Sequence, residues 1–529
     1  MNFMTERGFD RRLWAPACAV AGLALVAFLP ALSGGFVWDD RALVEGCNGI
    51  KGLDARHLRW MLTTNYMANY QPLGWLSLAL DYRIWGLRPA GFHLTNQLLH
   101  ACNAALVFLI GRLLLERASP LRGSALSWGA TAAALLFALH PARAESVAWI
   151  SERRDVLSGL FYLLCIWFHI QGRRAASIAC CAASLLCKAV AVSLPLVLLI
   201  LDLYPLGRLP RDGWRRLILE KLPYAALALA GTFMVLWAQH STGNLVPLEK
   251  LGWGPRLAQA VIGLGFYLEK SLLPIRLSPL YPLAETVTGL AVLRASAVLA
   301  GAETLLRWAR VGRAPRLALW SYYLVALAPM LGLVQNGPQA VAVRYSYLSC
   351  LGWALAAGAG VARLPPRARG AAGTVLLLLL SAASWRECRY WRDEPSLWRR
   401  AVSVLPGSAE LRSRLGAVFA EQGRTNEAAA ALDEALRLQP GHARARRDRA
   451  QLLYAAGRFP EAERDFRAAL SSEPDSAEAL SNVGAIIAQQ GREAEALPFL
   501  ERAAALNPGN AVTEGNLMLA RAGLEKNRR

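Results

Sequence analysis

The chain has 529 residues, of which 55% are hydrophobic and only 18% are charged, and its net charge is +20. This length exceeds one compact core, and soluble globular proteins carry about 25% charged residues, so the composition favours a membrane protein of several domains. Its basic residues lie in short clusters between apolar runs and are not interleaved with stacking aromatics, so we predict no nucleic-acid partner.

Long apolar runs fill residues 1–385 and predict a polytopic membrane domain made entirely of α-helices. The candidate spans are 13–33, 94–115, 126–141, 155–171, 175–187, 190–206, 222–240, 289–308, 317–335, 346–362 and 371–385. Arg11 and Arg12 precede the first of them. The positive-inside rule, applied from these two arginines onward, gives about eleven spans and a large outer loop at 34–92.

Segment 257–274 is a further apolar run, and it breaks this alternation. As a full span it would place the arginines of 307–316 on the outer side. It also carries Glu269 and Lys270, which are costly in lipid. We therefore predict that it is a re-entrant or interfacial helix on the outer face.

The C-terminal part has an internal repeat, and we predict a linker at 386–408 before it. Prolines, glycines and alanines recur every 34 residues, as in Pro440, Pro474 and Pro508. That period, with small residues where helices meet and a closing proline, is typical of tetratricopeptide repeats. We predict three such repeats at 409–510, forming an α-solenoid, and a capping helix and tail at 511–529.

Two adjacent carboxylates follow the first span. Asp39 and Asp40 end the stretch Gly-Gly-Phe-Val-Trp-Asp-Asp at 34–40. Carboxylates at this position serve either to solvate a loop or as the base of an enzyme.

Polar residues also line one face of the second span, namely His93, Asn96, His100 and Asn103. Their spacing of three and four residues puts them on one helical face. Such a face should meet protein or a water-filled cavity, because polar groups are costly in lipid. It is either a hydrogen-bonded seam between helices or the wall of a functional site.

Further charged residues are predicted on the same outer side: His140, Glu145, Arg153, Asp155, Lys188 and Arg344. The first four either converge on a site or cap and bridge two helices. Lys188 is either a partner for phosphate or a snorkelling lysine, and Arg344 offers a second cation. Carboxylates and cations at a bilayer surface suit transfer of a sugar from a lipid-linked phosphate donor, in which cations stabilise the leaving phosphate and a carboxylate deprotonates the acceptor hydroxyl.

Several short motifs, taken in order, resemble the transmembrane-and-tetratricopeptide O-mannosyltransferases and their bacterial relatives, of the polytopic C-type (GT-C) glycosyltransferase superfamily. They are Phe36-Val37-Trp38-Asp39-Asp40, Gly91-Phe92-His93-Leu94-Thr95-Asn96 with His100 and Asn103, His140-Pro141 with Glu145, Trp149, Arg153 and Asp155, then Tyr281-Pro282, and Arg344-Tyr345-Ser346-Tyr347-Leu348. One departure is Lys188-Ala189, where relatives often have Lys-Glu.

The resemblance implies a GT-C-like fold and a polyprenyl-phosphate sugar donor used on the extracytoplasmic face. It implies that Asp39 or Asp40 is the catalytic base, and it leaves the choice between them open. Lys188 and Arg344 would bind the donor phosphate, and the organising residues would be His93, His140, Glu145, Arg153 and Asp155. Superfamily members differ in their need for a divalent metal, and we predict neither a metal site nor a cofactor.

We therefore expect a glycosyltransferase of the bacterial inner membrane. Its partners would be the lipid-linked donor, membrane lipid and a protein or peptide acceptor bound through extracytoplasmic tetratricopeptide repeats. The alternative is a non-catalytic membrane scaffold that recruits envelope proteins through its repeats, which the loss of an acid beside Lys188 favours.

Overall fold

The computed structural model describes residues 13–242, 245–283, 287–472 and 474–528, and these residues are overwhelmingly helical. The all-α prediction is confirmed. Arg11 and Arg12, from which the predicted topology starts, lie outside the described residues. The chain divides into two compact units, Met1–Asp393 and Glu394–Arg529.

The N-terminal unit carries all the candidate site residues that the sequence singled out. Its helices are α1 (Trp14–Phe28), α2 (Ala55–Thr63), α3 (Pro72–Trp85), α4 (Pro89–Ala118), α5 (Gly123–Ala138), α6 (Ala144–Ala148), α7 (Arg153–Ile170), α8 (Arg174–Leu185), α9 (Leu194–Leu203), α10 (Leu209–Ser241), α11 (Trp253–Leu272), α12 (Gly289–Trp308), α13 (Arg313–Leu327), α14 (Ser346–Ser349), α15 (Leu351–Ala362) and α16 (Pro366–Tyr390). Two short antiparallel strands, β1 (Tyr281–Pro282) and β2 (Gln339–Val341), pair Tyr281 with Val341.

Several of these helices are suited to a membrane. Within the described residues, five are long and apolar enough to cross a bilayer: α1 with the turn after it, α4, α10, α12 and α16. The bent pair of 123–138 and 141–148, with a 50° angle, would make a sixth. The chain is therefore a multi-pass membrane protein. The eleven-span topology and the interfacial placement of α11 remain predictions.

Helix α4 is central to the packing of this unit, because it lies against α1, α5 and α7. Proline at its first position suits a helix start, where the backbone N–H has no helical partner. Helices α5 and α15 approach closely through glycines. A Cβ on Gly358 would lie only 2.3 Å from the carbonyl oxygen of Gly129, so the contact requires the small residue.

The segment predicted as a large outer loop, 34–92, is a folded subdomain. It contains α2, α3 and the start of α4, and its apolar core includes Val44, Ile50, Trp75 and Phe92, together with Ile150 from outside the segment. Asp54 caps α2 by accepting hydrogen bonds from the amides of Arg56 and His57. Packing within the loop therefore gives Asp39 and Asp40 an ordered setting.

The C-terminal unit consists of α17 (Glu394–Val404), α18 (Ala409–Glu421), α19 (Thr425–Leu438), α20 (Ala443–Ala455), α21 (Phe459–Ser472), α22 (Ala477–Gln489), α23 (Glu493–Leu506) and α24 (Ala511–Arg528). The turn glycines Gly423, Gly457 and Gly491 have φ between 70° and 75°, a conformation that glycine adopts without strain. Six helices form three antiparallel pairs at the predicted 34-residue period, and α24 follows them.

The predicted linker at 386–408 contains the boundary between the two units, but most of it is helical. Helix α16 extends to Tyr390, and α17 occupies Glu394–Val404. Helix α17 buries Leu397, Trp398 and Ala401, an apolar stripe at helical spacing. The sequence pattern was therefore that of a packed amphipathic helix.

Candidate functional site

Asp40 is a fully buried carboxylate that joins two distant segments. Its Oδ2 accepts a hydrogen bond from the amide of Val37 at 3.1 Å. Its Oδ1 accepts one from the amide of Ser151 at 2.7 Å and another from the Ser151 hydroxyl. Burial is the main reason that the pKa of Asp40 rises to about 7, although these hydrogen bonds lower it. Both oxygens are therefore occupied by protein donors.

Asp39 lies in a different environment, because its side chain is partly exposed. The preceding residue, Trp38, has a φ of 55°, which is unusual for a residue with a side chain. The Trp38 ring stacks on Trp149 with centroids 4.7 Å apart, and Trp149 also stacks on Trp391 at 5.4 Å. This stacking supports the strained turn and fixes the backbone that presents Asp39.

A cluster of buried charges lies beside this turn, and we call it the ionic cluster. Its members are Glu145, Glu152, Arg154, Asp155, Lys188 and Arg344. Lys188 Nζ lies 2.5 Å from Asp155 Oδ1 and 3.1 Å from Glu152 Oε2. The cluster contains equal numbers of acids and bases, which offsets the cost of burying them.

Arg344 is held by two carboxylates of this cluster. Its guanidinium is bonded to Glu145, its backbone amide donates to Glu145 Oε2 at 3.1 Å, and its Nε lies 3.1 Å from Glu152 Oε1. The guanidinium also lies over the Trp149 ring, 5.4 Å from its centroid. Trp149 therefore connects the Asp39 turn with the ionic cluster.

Glu152 is the centre of the cluster, with ion pairs to Arg154 at 2.7 Å, to Lys188 and to Arg344. Burial alone would raise the pKa of Glu152, but the three surrounding cations hold it well below its ordinary value. The Glu152 carboxylate is thus charged and keeps the cations in place.

Arg153 belongs to a separate buried node. Its Nη2 lies 2.5 Å from Asp81 Oδ2 and 2.8 Å from the carbonyl oxygen of Phe92, and its Nη1 donates to Ser77 at 2.8 Å. Its Nε is bonded to Asn96. Arg153 thus ties the start of α7 to α3 and α4, and within the described residues its side chain forms no hydrogen bond or ion pair with the ionic cluster.

The two predicted histidines also lie apart from the ionic cluster. His140 Nδ1 accepts a hydrogen bond from Ala142, and its Nε2 lies 3.1 Å from the carbonyl oxygen of Ser271 at the end of α11. His93 is fully buried against the glycine turn, where a Cβ on Gly34 would lie 3.1 Å from its Nε2. These contacts lie outside the ionic cluster, and the organising role of the two histidines remains a prediction.

The rest of the polar face of α4 is a seam between helices. Asn96 donates to the carbonyl oxygen of Trp149 at 3.1 Å, and His100 Nδ1 lies 2.8 Å from the Tyr347 hydroxyl. Asn103 donates to the same hydroxyl at 2.9 Å. Of the two interpretations of this face, the structure favours hydrogen-bonded packing.

The sequence interpretation missed four residues that matter here, namely Arg143, Ser151, Glu152 and Arg154. Glu152 and Ser151 lie inside the stretch that was singled out, and the run Ser-Glu-Arg-Arg-Asp was their only signal. Arg143 is 3% exposed, and its Nε and Nη1 have no hydrogen-bond partner in the described part of the chain. Its guanidinium lies over the rings of Phe137 and Tyr347, at 5.6 and 5.4 Å from their centroids.

This arrangement can hold a carboxylate and two cations on one scaffold. Residues 149–155 contact the Asp39 turn through Trp149 and Ser151, and they contact Lys188 through Glu152 and Asp155. Of the predicted site residues, the structure brings together Glu145, Asp155, Lys188 and Arg344. Asp39 and Asp40 are connected to them through residues 149–155. Within the described residues, no three His, Cys, Asp or Glu side chains form a group that could hold a metal ion.

Comparison with known proteins agrees with these features. A tetratricopeptide-repeat family model matches residues 396–443, 414–465 and 447–511. The Drosophila melanogaster protein O-mannosyl-transferase Tmtc1 is 35% identical over 206 residues, which is 36% of this chain and 23% of that protein. The Caenorhabditis elegans protein O-mannosyl-transferase F38B6.6 is 22% identical over 79% of this chain and 61% of its own length.

Among solved structures, that of ArnT from Cupriavidus metallidurans bound to undecaprenyl phosphate aligns with 81% of this chain and 76% of its own, at 15% identity and a TM-score of 0.37. That score is too low to establish a common fold. This chain spans less than two thirds of the length of the curated relatives named above. The resemblance predicted from the sequence is nevertheless confirmed: parts of the chain are similar to protein O-mannosyl-transferases of the transmembrane-and-tetratricopeptide type, and its C-terminal unit carries tetratricopeptide repeats.

Proposed function

We propose that this chain is a membrane glycosyltransferase that moves a sugar from a polyprenyl-phosphate donor to a hydroxyl of a protein acceptor, on the extracytoplasmic face. The observation that carries the proposal is the link made by residues 149–155 between the Asp39 turn and the cations Lys188 and Arg344. Such a site needs a base and a phosphate-binding group at fixed separation. The relatives' names make mannose the first sugar to test.

In this proposal Asp39 is the catalytic base and Asp40 is a positioning residue. Asp40 is fully buried and already accepts hydrogen bonds at both oxygens, so a substrate hydroxyl cannot replace those partners without opening the turn. Asp39 is partly exposed. Neighbouring carboxylates in different environments commonly take different roles.

The reaction would be a single displacement. Asp39 accepts the proton of the acceptor hydroxyl, whose oxygen forms a bond to the anomeric carbon of the sugar. The bond from that carbon to the phosphate oxygen breaks, and the electron pair leaves with the polyprenyl phosphate. Lys188 and Arg344 would stabilise the charge on the leaving group, and the configuration at the sugar would invert.

The test is transfer of mannose from a polyprenyl-phosphate donor to acceptor protein by the purified full chain. We expect Asp39→Asn to lower kcat at least about a hundredfold, because general-base catalysis contributes about 10²–10⁴. Lys188→Ala should raise the KM for the donor. Glu249→Gln changes an exposed carboxylate outside the site and should leave both constants unchanged.

Full activity of both Asp39→Asn and Lys188→Ala would refute the site. Failure to consume any polyprenyl-phosphate sugar would favour the scaffold alternative. One observation bears on that alternative: Lys188 pairs with both Glu152 and Asp155. Lys188 therefore has two carboxylate partners even though the following residue, Ala189, is not an acid.

A further inference from the structure

A second network of charges lies at the far end of α7. Asp202 is fully buried, and its carboxylate lies 2.8 Å from His169 Nε2, 3.1 Å from Arg208 Nη1 and 2.5 Å from Lys221 Nζ. Helix α7 rises about 27 Å from Arg153 to Ile170, so this network is on the opposite side of the unit from the ionic cluster. It is a separate site.

The carboxylates around this network are already paired. Arg208 pairs with Asp212 at 2.8 Å and with Glu220 at 2.9 Å, and Arg216 pairs with the same two acids at 3.2 Å each. The negative charges of these carboxylates are therefore balanced by cations of the protein. Any further cation at this position has no carboxylate left to pair with.

Two further cations are present, Arg174 and Arg215. A cleft of about 470 Å³ is lined by Arg174, Asp212, Arg215, Arg216, Leu219 and Glu220. Neither Arg174 nor Arg215 forms an ion pair with a carboxylate in the described part of the chain; Arg174 only donates to the carbonyl oxygen of Glu220, at 3.4 Å. The cleft therefore has a positive charge with no counter-ion from the protein.

One apolar side chain lines the same cleft, and two more lie close to it in the same helix. Leu219 lines it and is 50% exposed, and Trp214 and Ile218 beside it are each 51% exposed. They lie in the first half of α10, which is long and apolar enough to cross a bilayer. Aromatic and aliphatic side chains next to arginines are typical of the membrane interface. A ligand here would meet cations at one end and apolar surface at the other.

We propose that this cleft binds an anionic phospholipid, with its phosphate between Arg174 and Arg215 and its acyl chains along Trp214 and Leu219. Planar guanidinium groups match phosphate oxygens through paired hydrogen bonds. A lipid suits the cleft better than free phosphate, because free phosphate would leave the apolar border exposed to water. The proposal does not depend on the glycosyltransferase activity.

The test uses the full chain in nanodiscs of phosphatidylcholine that contain a minor fraction of phosphatidylglycerol, with retained lipid measured by native mass spectrometry. We expect wild type to keep phosphatidylglycerol, and the double variant Arg174→Gln, Arg215→Gln to bind it roughly thirtyfold more weakly, since each basic residue near a membrane surface contributes about fivefold. The control is Arg211→Gln, an exposed arginine of the same segment that does not line the cleft.

Equal retention of phosphatidylglycerol by wild type and the double variant would overturn the proposal. So would a loss of phosphatidylglycerol in Arg211→Gln as large as that in the double variant, because it would indicate nonspecific attraction. Displacement of phosphatidylglycerol by millimolar inorganic phosphate would also overturn the proposal. That result would show that the cleft binds a soluble anion and does not need the acyl chains. Should the double variant not reach the membrane, Arg215→Gln alone tests the same pairing at an exposed position.

Discussion

At the scale of single residues, the environment separates two neighbouring carboxylates. Asp40 is buried with three protein donors, and Asp39 is partly exposed beside a strained, stacked tryptophan. Their chemistry is identical in the sequence. Part of the difference is Ser151, whose amide and hydroxyl both donate to Asp40.

The buried state of Asp40 should give the folding stability a pH dependence. Burial raises the pKa of Asp40 from 3.8 to about 7, so the folded chain binds this proton more tightly than the unfolded chain. The resulting stabilisation is fully present below about pH 4 and is lost as the pH rises through about 7. We expect the Tm of wild type to fall more steeply between those values than that of Asp40→Asn. Glu249→Gln should keep the wild-type slope, and equal slopes in wild type and Asp40→Asn would contradict the assignment.

Two buried arginines should respond oppositely to removal of their charge. Arg153 is paired with Asp81, whereas in the described part of the chain Arg143 donates to Ser346 through Nη2 but has no hydrogen-bond partner at Nε and Nη1. Breaking a buried ion pair costs about 3–5 kcal/mol, whereas a buried charge without an ion-pair partner carries a desolvation cost of several kcal/mol that no attraction offsets. We expect Arg153→Met to lower the free energy of unfolding and Arg143→Met to raise it. A loss of stability in both variants would show that Arg143 is satisfied after all.

At the scale of elements, two segments that the sequence analysis predicted as a loop and a linker contain packed helices. Segment 34–92 folds around its own core, and 394–404 is the amphipathic helix α17. The polar face of α4 is buried against α7 and Tyr347, so its amide and imidazole groups hold helices together. Asn96 of this face also bonds to Trp149 and Arg153, and so helps to position the segment at 149–155.

The helix pairs of the repeats depend on small residues at their crossing points. A Cβ on Gly484 would lie 2.5 Å from Leu500 Cγ, between α22 and α23. We expect Gly484→Val to destabilise this pair by about 1–3 kcal/mol, since extra atoms in a packed core force the helices apart. Hydrogen exchange in α22 and α23 of the full chain measures the effect.

The matched control is Gly515→Ala in α24, where an added Cβ meets nothing within 4 Å. That change should stabilise α24 by roughly 0.5–1 kcal/mol, because alanine is the better helix former. Equal protection of α22 and α23 in wild type and Gly484→Val would refute the close-packing argument.

At the scale of the whole molecule, a membrane unit and a repeat unit are joined in one chain, and the proposed function needs the candidate site and the repeats on the extracytoplasmic side. The last cysteine in the chain is Cys388, so the repeats contain none. Helix α19 has an exposed Asn426 near its start.

Labelling of Asn426→Cys with a membrane-impermeant maleimide should therefore succeed from the extracytoplasmic side of intact membranes, above the background of wild type. The same variant in inverted vesicles should stay unlabelled until the membrane is opened. The reverse pattern would place the repeats in the cytoplasm and overturn the predicted topology, which rests on arginine clusters between apolar runs.

The sequence by itself determined the class of protein and its division into parts. Apolar runs of about twenty residues and a 34-residue period are local patterns, and they can be recognised without knowledge of what they contact. Asp39, Lys188 and Arg344 could be singled out because each lies in a local sequence pattern. The residues that they contact could not be identified in this way.

Only the tertiary structure decided which aspartate is buried, which cations are paired and which are in excess. Arg344 and Glu145 are 199 positions apart, and Asp40 and Ser151 are 111 apart. A contact between such distant residues depends on how whole helices pack, which no local pattern specifies. Glu152 illustrates this: it is one charge among several in its sequence, and it becomes the centre of the ionic cluster only when α7, Lys188 and Arg344 meet around it.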